Sequence, residues 1–230
     1  MLKIRMALKK TEAMKYVGHL DFVRAIERAL RRAKLPVAYS VGFNPHMKLS
    51  FGPALGVGVA SDAEYIDVDM ISMVDENDFR QKLSEQLPAG LILVKAQGVN
   101  STASLAAELN LAGYCVEIGA EPSPGNLAAA AKTLELFSKA ETISYVRSTP
   151  KGVKTVELKS FLVDDPSIIT GSGCINILFW LRMKATGAAK PQELMKVLVE
   201  QYGCPAGNMS YRRVELRAET ATGIRDAFEI

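Results

Sequence analysis

The chain lacks the cysteine patterns that build metal or redox centres. Its three cysteines, Cys115, Cys174 and Cys204, are scattered, with no CxxC and no Cys/His ligand spacing. That argues against a structural zinc or a disulfide framework and fits a reducing compartment. A CxxxCxxC run is missing too, so the sequence offers no ligand set for an iron–sulfur cluster. No GxxxxGKS or GxxxxGKT, no GxSxG and no helix-opening GxGxxG occurs. Nucleotide hydrolysis and dinucleotide chemistry therefore have no support, and the glycines of Ala54-Leu55-Gly56-Val57-Gly58 read as part of a strand. No apolar run approaches about 20 residues, so no membrane-spanning helix is expected. The opening MLKIRMALKK is too short and too often charged for a signal peptide. The expectation is a cytoplasmic protein with no membrane contact.

What is present is unevenly charged. Residues 1–53 hold eleven Lys/Arg against three Asp/Glu, and the rest of the chain 17 against 22, so an overall +3 conceals +8 followed by −5. A basic N-terminal region calls for an anionic partner, with RNA the first candidate. Both histidines, His19 and His46, lie in the same region.

Periodicity gives the organisation. Residues 2–9 alternate, with Leu2, Ile4, Met6 and Leu8 on one face and Lys3, Arg5 and Lys9 mostly on the other, as in a half-buried strand. Residues 19–34 place Leu20, Val23, Ile26, Leu30 and Ala33 on one helical stripe. Pro36 ends that helix, and short strands over 37–41 and 48–51 flank an irregular Gly42-Phe43-Asn44-Pro45-His46 connection. A strand over 64–70, a helix over 78–86 and a strand over 91–97 follow. The order over 1–99 is β-α-β-β-α-β, that of a ferredoxin-like fold, whose second sheet face is left open for a ligand or a second domain. Past a linker or short helix at 100–111, the order recurs. Strands at 114–120, 143–148, 153–162, 175–183 and 210–217 surround helices at 126–139 and 191–202, with a turn at Thr149-Pro150-Lys151-Gly152. The chain thus reads as α+β, two tandem ferredoxin-like halves with antiparallel sheets. They cover 1–99 and 112–218, with a frayed tail at 219–230.

The candidate chemistry sits at 16–53. Arg24, Arg28, Arg31 and Arg32 follow i, i+4, i+7 and i+8 on the polar side of the helix, suited to phosphate. The plain alternative is a solvated face with Arg24–Asp21 and Arg31–Glu27 helix pairs. Lys48 adds a cation, Tyr39 and Phe43 can stack on unpaired bases, and Asn44 and His46 can meet base edges. For both aromatics, core packing is the commoner outcome. Catalysis is the weaker reading. It would use His19 and His46, with Asp21, as acid and base in RNA cleavage. A metal site from His19, His46, Asp21 and Glu64 is possible by residue type only.

Gly18-His19-Leu20-Asp21, Arg28 with Arg31-Arg32, Gly42-Phe43-Asn44-Pro45-His46 and Glu64-Tyr65 together resemble a radical-SAM-linked bacterial family of unknown function. The match is specific over about residues 1–70 and looser beyond, where Lys151-Gly152 and Tyr211-Arg212-Arg213 fall near a K-G turn and a final basic strand. Members occur alone or behind radical-SAM domains, often with a cobalamin-binding region. The resemblance implies an accessory part, RNA-binding or substrate-presenting, for a radical-SAM partner that carries the iron–sulfur cluster and S-adenosylmethionine. No cofactor is expected on this chain, and a protein-interaction domain is the third reading.

Overall fold

Alternation in the first ten residues becomes strand β1, Leu2–Lys10. The computed structural model describes residues 2–149, 152–171, 173–184 and 187–230. The fold is α+β, with few helices on largely antiparallel sheet. It divides into one unit of residues 1–110 and 215–230 and a second of 111–214.

In the first unit, β1 is followed by α1 (His19–Arg32), β2 (Leu49–Phe51), β3 (Val59–Met70), α2 (Glu76–Ser84), β4 (Leu91–Val99) and α3 (Leu105–Glu108). β1 pairs antiparallel with both β3 and β4, and β2 pairs with β3, so these strands lie in the order β4-β1-β3-β2. One face of that sheet meets the helices. Ile4, Met6 and Leu8 of β1 and Ile66 and Val68 of β3 pack on Phe22, Ile26 and Leu30 of α1 and Phe79 and Leu83 of α2. The α1 stripe is rotated from the expected one: Phe22 and Ala29 are inside, and Leu20 is 70% exposed. Helix α2 starts two residues early because the Asp75 carboxylate accepts from the Asn77 and Asp78 amides.

The open sheet face and the frayed tail are both corrected. β10 (Met209–Thr220) extends to a hairpin with β11 (Gly223–Asp226). The chain then lies on the second face of the first unit's sheet. There Phe228 meets Tyr65 edge-on at 5.8 Å, and Arg5, expected on a solvated face, is fully buried. Residues 37–41 form no strand, only bridges from Val37 to Met70 and from Tyr39 to Met47. Gly56 and Gly58 precede β3 rather than forming part of a strand, and Gly58 has φ +85. At 100–111 the short-helix alternative holds, with Leu105 and Leu109 buried.

In the second unit, β5 (Leu111–Ile118), α4 (Pro124–Lys139), β6 (Ser144–Thr149), β7 (Gly152–Glu157), β8 (Ser167–Gly171), β9 (Cys174–Arg182) and α5 (Pro191–Tyr202) lead to the start of β10. β9 pairs antiparallel with β5 and with β8, a strand not foreseen, while β6 and β7 form a separate two-stranded ribbon. Two residues of the expected turn between them, Pro150 and Lys151, lie outside the described residues. Arg147 on the ribbon grips α5 with two bonds of 2.7 Å to the Glu193 carboxylate, which hold its guanidinium above its ordinary pKa. The core gathers Val116, Phe137, Ile177, Phe179, Leu194 and Leu198. No helix among the described residues is long and apolar enough to cross a membrane.

Cys204 is buried in this second core, and burial pushes its thiol up to about 11. The folded chain therefore holds the thiol proton more tightly than the unfolded one. The resulting stability is complete below the ordinary thiol value and fades as the pH rises toward 11. Alkylation needs the thiolate, so the expected order at pH 8 is Cys115 and Cys174, both partly exposed, well before Cys204. Peptide mapping after timed iodoacetamide labelling checks this, and labelling of all three thiols at equal rates would refute it.

Candidate nucleic-acid interface

Helix α1 turns one side to the core and the other to water, and all four arginines fall on the wet side. The Arg24 guanidinium donates to Asp21 at 3.1 Å, but the two side chains are 64% and 68% exposed, so the pair holds Arg24 weakly. Arg32 donates to the Gln86 carbonyl at 2.6 Å. The expected Arg31–Glu27 pair does not form: among the described residues, neither Arg28 nor Arg31 has a side-chain partner. Two free guanidinium groups on one helix face can take phosphate without breaking anything first.

The connection after α1 is built as a presented loop. The Ser40 amide donates to the His46 carbonyl at 2.8 Å, and the His46 amide donates to Ser40 Oγ at 3.0 Å, closing the neck above the Tyr39–Met47 bridge. Inside that neck, Gly42 takes φ +139, a conformation that glycine adopts freely. Core packing is not the fate of the aromatics. Phe43 is fully exposed, as is Val41, and Tyr39 is 41% exposed. Asn44 and His46 are exposed beside them, and Lys48 is half-buried.

Antiparallel pairing of β2 with β3 sends the chain before β2 and the chain after β3 out at the same end of the sheet. The Ile71 amide donates to the Pro36 carbonyl at 2.9 Å, which ties that end to the exit of α1. Exposed Ile71 and Met73 therefore join the loop and the last turn of α1, with Arg31 and Arg32, on one end of the first unit. Sequence reasoning missed Ile71 and Met73. Their signal was two large apolar residues in a connection just before the Asp75 cap, where polar residues are usual.

The histidines are not brought together. His19 opens α1, and its ring meets Phe51 edge-on at 5.8 Å. His46 belongs to the loop beyond the other end of that 14-residue helix, whose length is roughly 20 Å. Instead His19 lines a small cleft with Lys10, Val17, Phe22, Leu55 and Glu64. Lys10 and Glu64 are buried there, and the Lys10 ammonium donates to the Val17 carbonyl at 2.7 Å. Asp21 stays outside with Arg24, so the proposed acid–base set and the four-residue metal set are both divided between the two ends. Among the described residues, no three His, Cys, Asp or Glu side chains gather as a metal-binding group.

Residues 3–191 match a family described as an uncharacterized protein conserved in bacteria (DUF2344). The chain belongs to this family. No curated protein matches it. Among solved structures, one chain of a Cbf5–Nop10–Gar1 complex is 12% identical, with a TM-score of 0.49, over 93% of this chain and 48% of that one. This DUF2344 chain thus spans about half the length of that protein. A structure of an unknown protein from Galdieria sulphuraria is 13% identical, with a TM-score of 0.29, over 93% of this chain and 98% of that one.

Proposed function

We propose that this DUF2344 protein is an RNA-binding module that presents its RNA to a partner enzyme and performs no chemistry itself. The observation that carries the reading is the outer face of α1: four exposed arginines, two of them without a side-chain partner among the described residues, in the region that holds the basic excess. The resemblance of the 18–21, 42–46 and 64–65 motifs supports a radical-SAM enzyme as that partner, supplying the iron–sulfur cluster and S-adenosylmethionine, in the cytoplasm. The strand orders β4-β1-β3-β2 and β10-β5-β9-β8 support a ferredoxin-like plan for each unit, with the β6–β7 ribbon as an insertion in the second. The split placement of His19 and His46 weighs against an RNA endonuclease.

Affinity for total bacterial RNA, measured by filter binding between about 50 and 200 mM salt, tests the reading. The wild type is expected to bind with a steep salt dependence, because each phosphate contact releases counterions. Changing Arg24, Arg28, Arg31 and Arg32 together to alanine is expected to flatten the log–log slope by about 3 units, near 0.7 per lost contact. These side chains are outside the core, so circular dichroism should be unchanged. No binding by the wild type at the lower salt sinks the reading, as does a variant with an undiminished slope.

A further inference from the structure

We infer that the RNA contacted by this protein is single-stranded at the point of contact, with an unpaired base seated on Phe43. The inference rests on the RNA reading above and names the kind of RNA.

Three observations carry it. The first is the exposure of Phe43, which is complete, at the tip of a loop whose neck is locked by the Ser40–His46 bonds. The closed neck restrains the loop backbone, so less backbone freedom is lost when something stacks on the ring. The second is the company it keeps. Val41 is also fully exposed, Ile71 is 74% and Met73 86% exposed at the same end, and Asn44 and His46 bring polar groups suited to base edges. The third is charge. The carboxylates at this end are engaged: Asp69 pairs with Lys3 at 3.8 Å, Asp75 caps α2, and Glu76 accepts from the Gly98 amide at 2.6 Å. Of the cations here, Lys3 is in that pair and Arg32 donates to the Gln86 carbonyl, while Arg31, Lys34 and Lys48 make no side-chain bond among the described residues. An apolar tip among free cations and occupied acids complements a base with its phosphates.

A duplex does not fit this tip. Paired bases stack on one another and hide their faces, and a double-stranded RNA meets proteins chiefly through phosphates and 2′-hydroxyls. Only an unstacked base in a loop, bulge or free end can lie flat on Phe43, and such stacking tolerates any base.

The test compares an oligouridylate of about 12 nucleotides with an RNA duplex of about 12 base pairs, both fluorescently labelled, by anisotropy at roughly 50 mM salt. Phe43→Ala is expected to weaken oligouridylate binding by about fivefold to a hundredfold, the range seen for one lost stack. Duplex binding and the salt slope should not change. Phe43→Tyr should restore the affinity, and Phe43→Leu should not, because a leucine keeps apolar contact but not the flat face. Equal losses for single strand and duplex would overturn the inference. So would an unchanged oligouridylate affinity in a protein that still binds RNA through its arginines, in which case the apolar tip is a protein contact. If the wild type binds neither RNA, the RNA reading itself has failed and this inference goes with it.

Discussion

Asp67→Ala is expected to destabilise the first unit by about 3–5 kcal/mol, the range for leaving a buried charge without its partner. The β1–β3 register sets Arg5 directly opposite Asp67. The guanidinium grips the carboxylate with two bonds, at 2.7 and 2.9 Å, and the two side chains are 0% and 1% exposed. The remaining guanidinium nitrogen donates to the carbonyls of Ala227 and Ile230. The substitution would strand a desolvated cation between strands, with its carboxylate gone and its surroundings closed. The attraction within the pair offsets most of the desolvation of both ions, so removing both should cost far less than removing one. Arg5→Met with Asp67→Leu is therefore expected to recover most of the loss. Urea unfolding gives the total, and hydrogen exchange of the β1 and β3 amides assigns it to the first unit. A single-variant loss below about 1 kcal/mol, or a double variant no more stable than Asp67→Ala, would show that the pair is not under the stress that its burial implies.

Arg5 also marks the boundary of what the sequence makes legible. The alternation over 2–9 is local and correctly gives a strand with Ile4, Met6 and Leu8 inward. What covers the other face is not local. It arrives from residues 227–230 at the far end of the chain, so a period of two could place Arg5 on the second face but not say that this face is covered. β8 escaped because Ile168 and Ile169 are adjacent and Ile169 is half exposed on an outer strand, which leaves no alternation to read. The arginine face was legible because i, i+4 and i+7 spacing is a property of the helix itself. Phe43 was named as a stacking candidate, but its exposure was not legible: core packing was the commoner expectation, and the ring is fully exposed on a loop whose neck Ser40 and His46 close. His19 and Glu64 were grouped by residue type alone; that they share a cleft was not legible, for the same reason as Arg5: β3 delivers Glu64 to the start of α1 through sheet pairing, not sequence spacing.

Removing residues 223–230 is expected to destabilise the first unit on the order of 4 kcal/mol, and to change what Asp67 is worth. The deleted segment supplies β11, paired with β10 from Arg217–Asp226 to Thr220–Gly223, and Ala227, which is fully buried. It also supplies Phe228, packed on Tyr65 and under the Lys95 ammonium at 3.9 Å from the ring centre. Arg5 would lose two carbonyl acceptors at once, but it would gain water, because those same residues lie over it. Once hydrated, the Arg5–Asp67 pair becomes a nearly exposed ion pair, which is typically worth about 1 kcal/mol or less. The two changes should therefore be strongly non-additive: Asp67→Ala in the shortened chain should cost a fraction of what it costs in the full one. A thermodynamic cycle of full and shortened chains, each with and without the Asp67→Ala substitution, measures the coupling directly by urea unfolding. Additive losses would mean that the C-terminal segment does not keep water from the pair. A coupling of several kcal/mol would establish residues 227–230 as the wall that makes this strand pair a core rather than a surface.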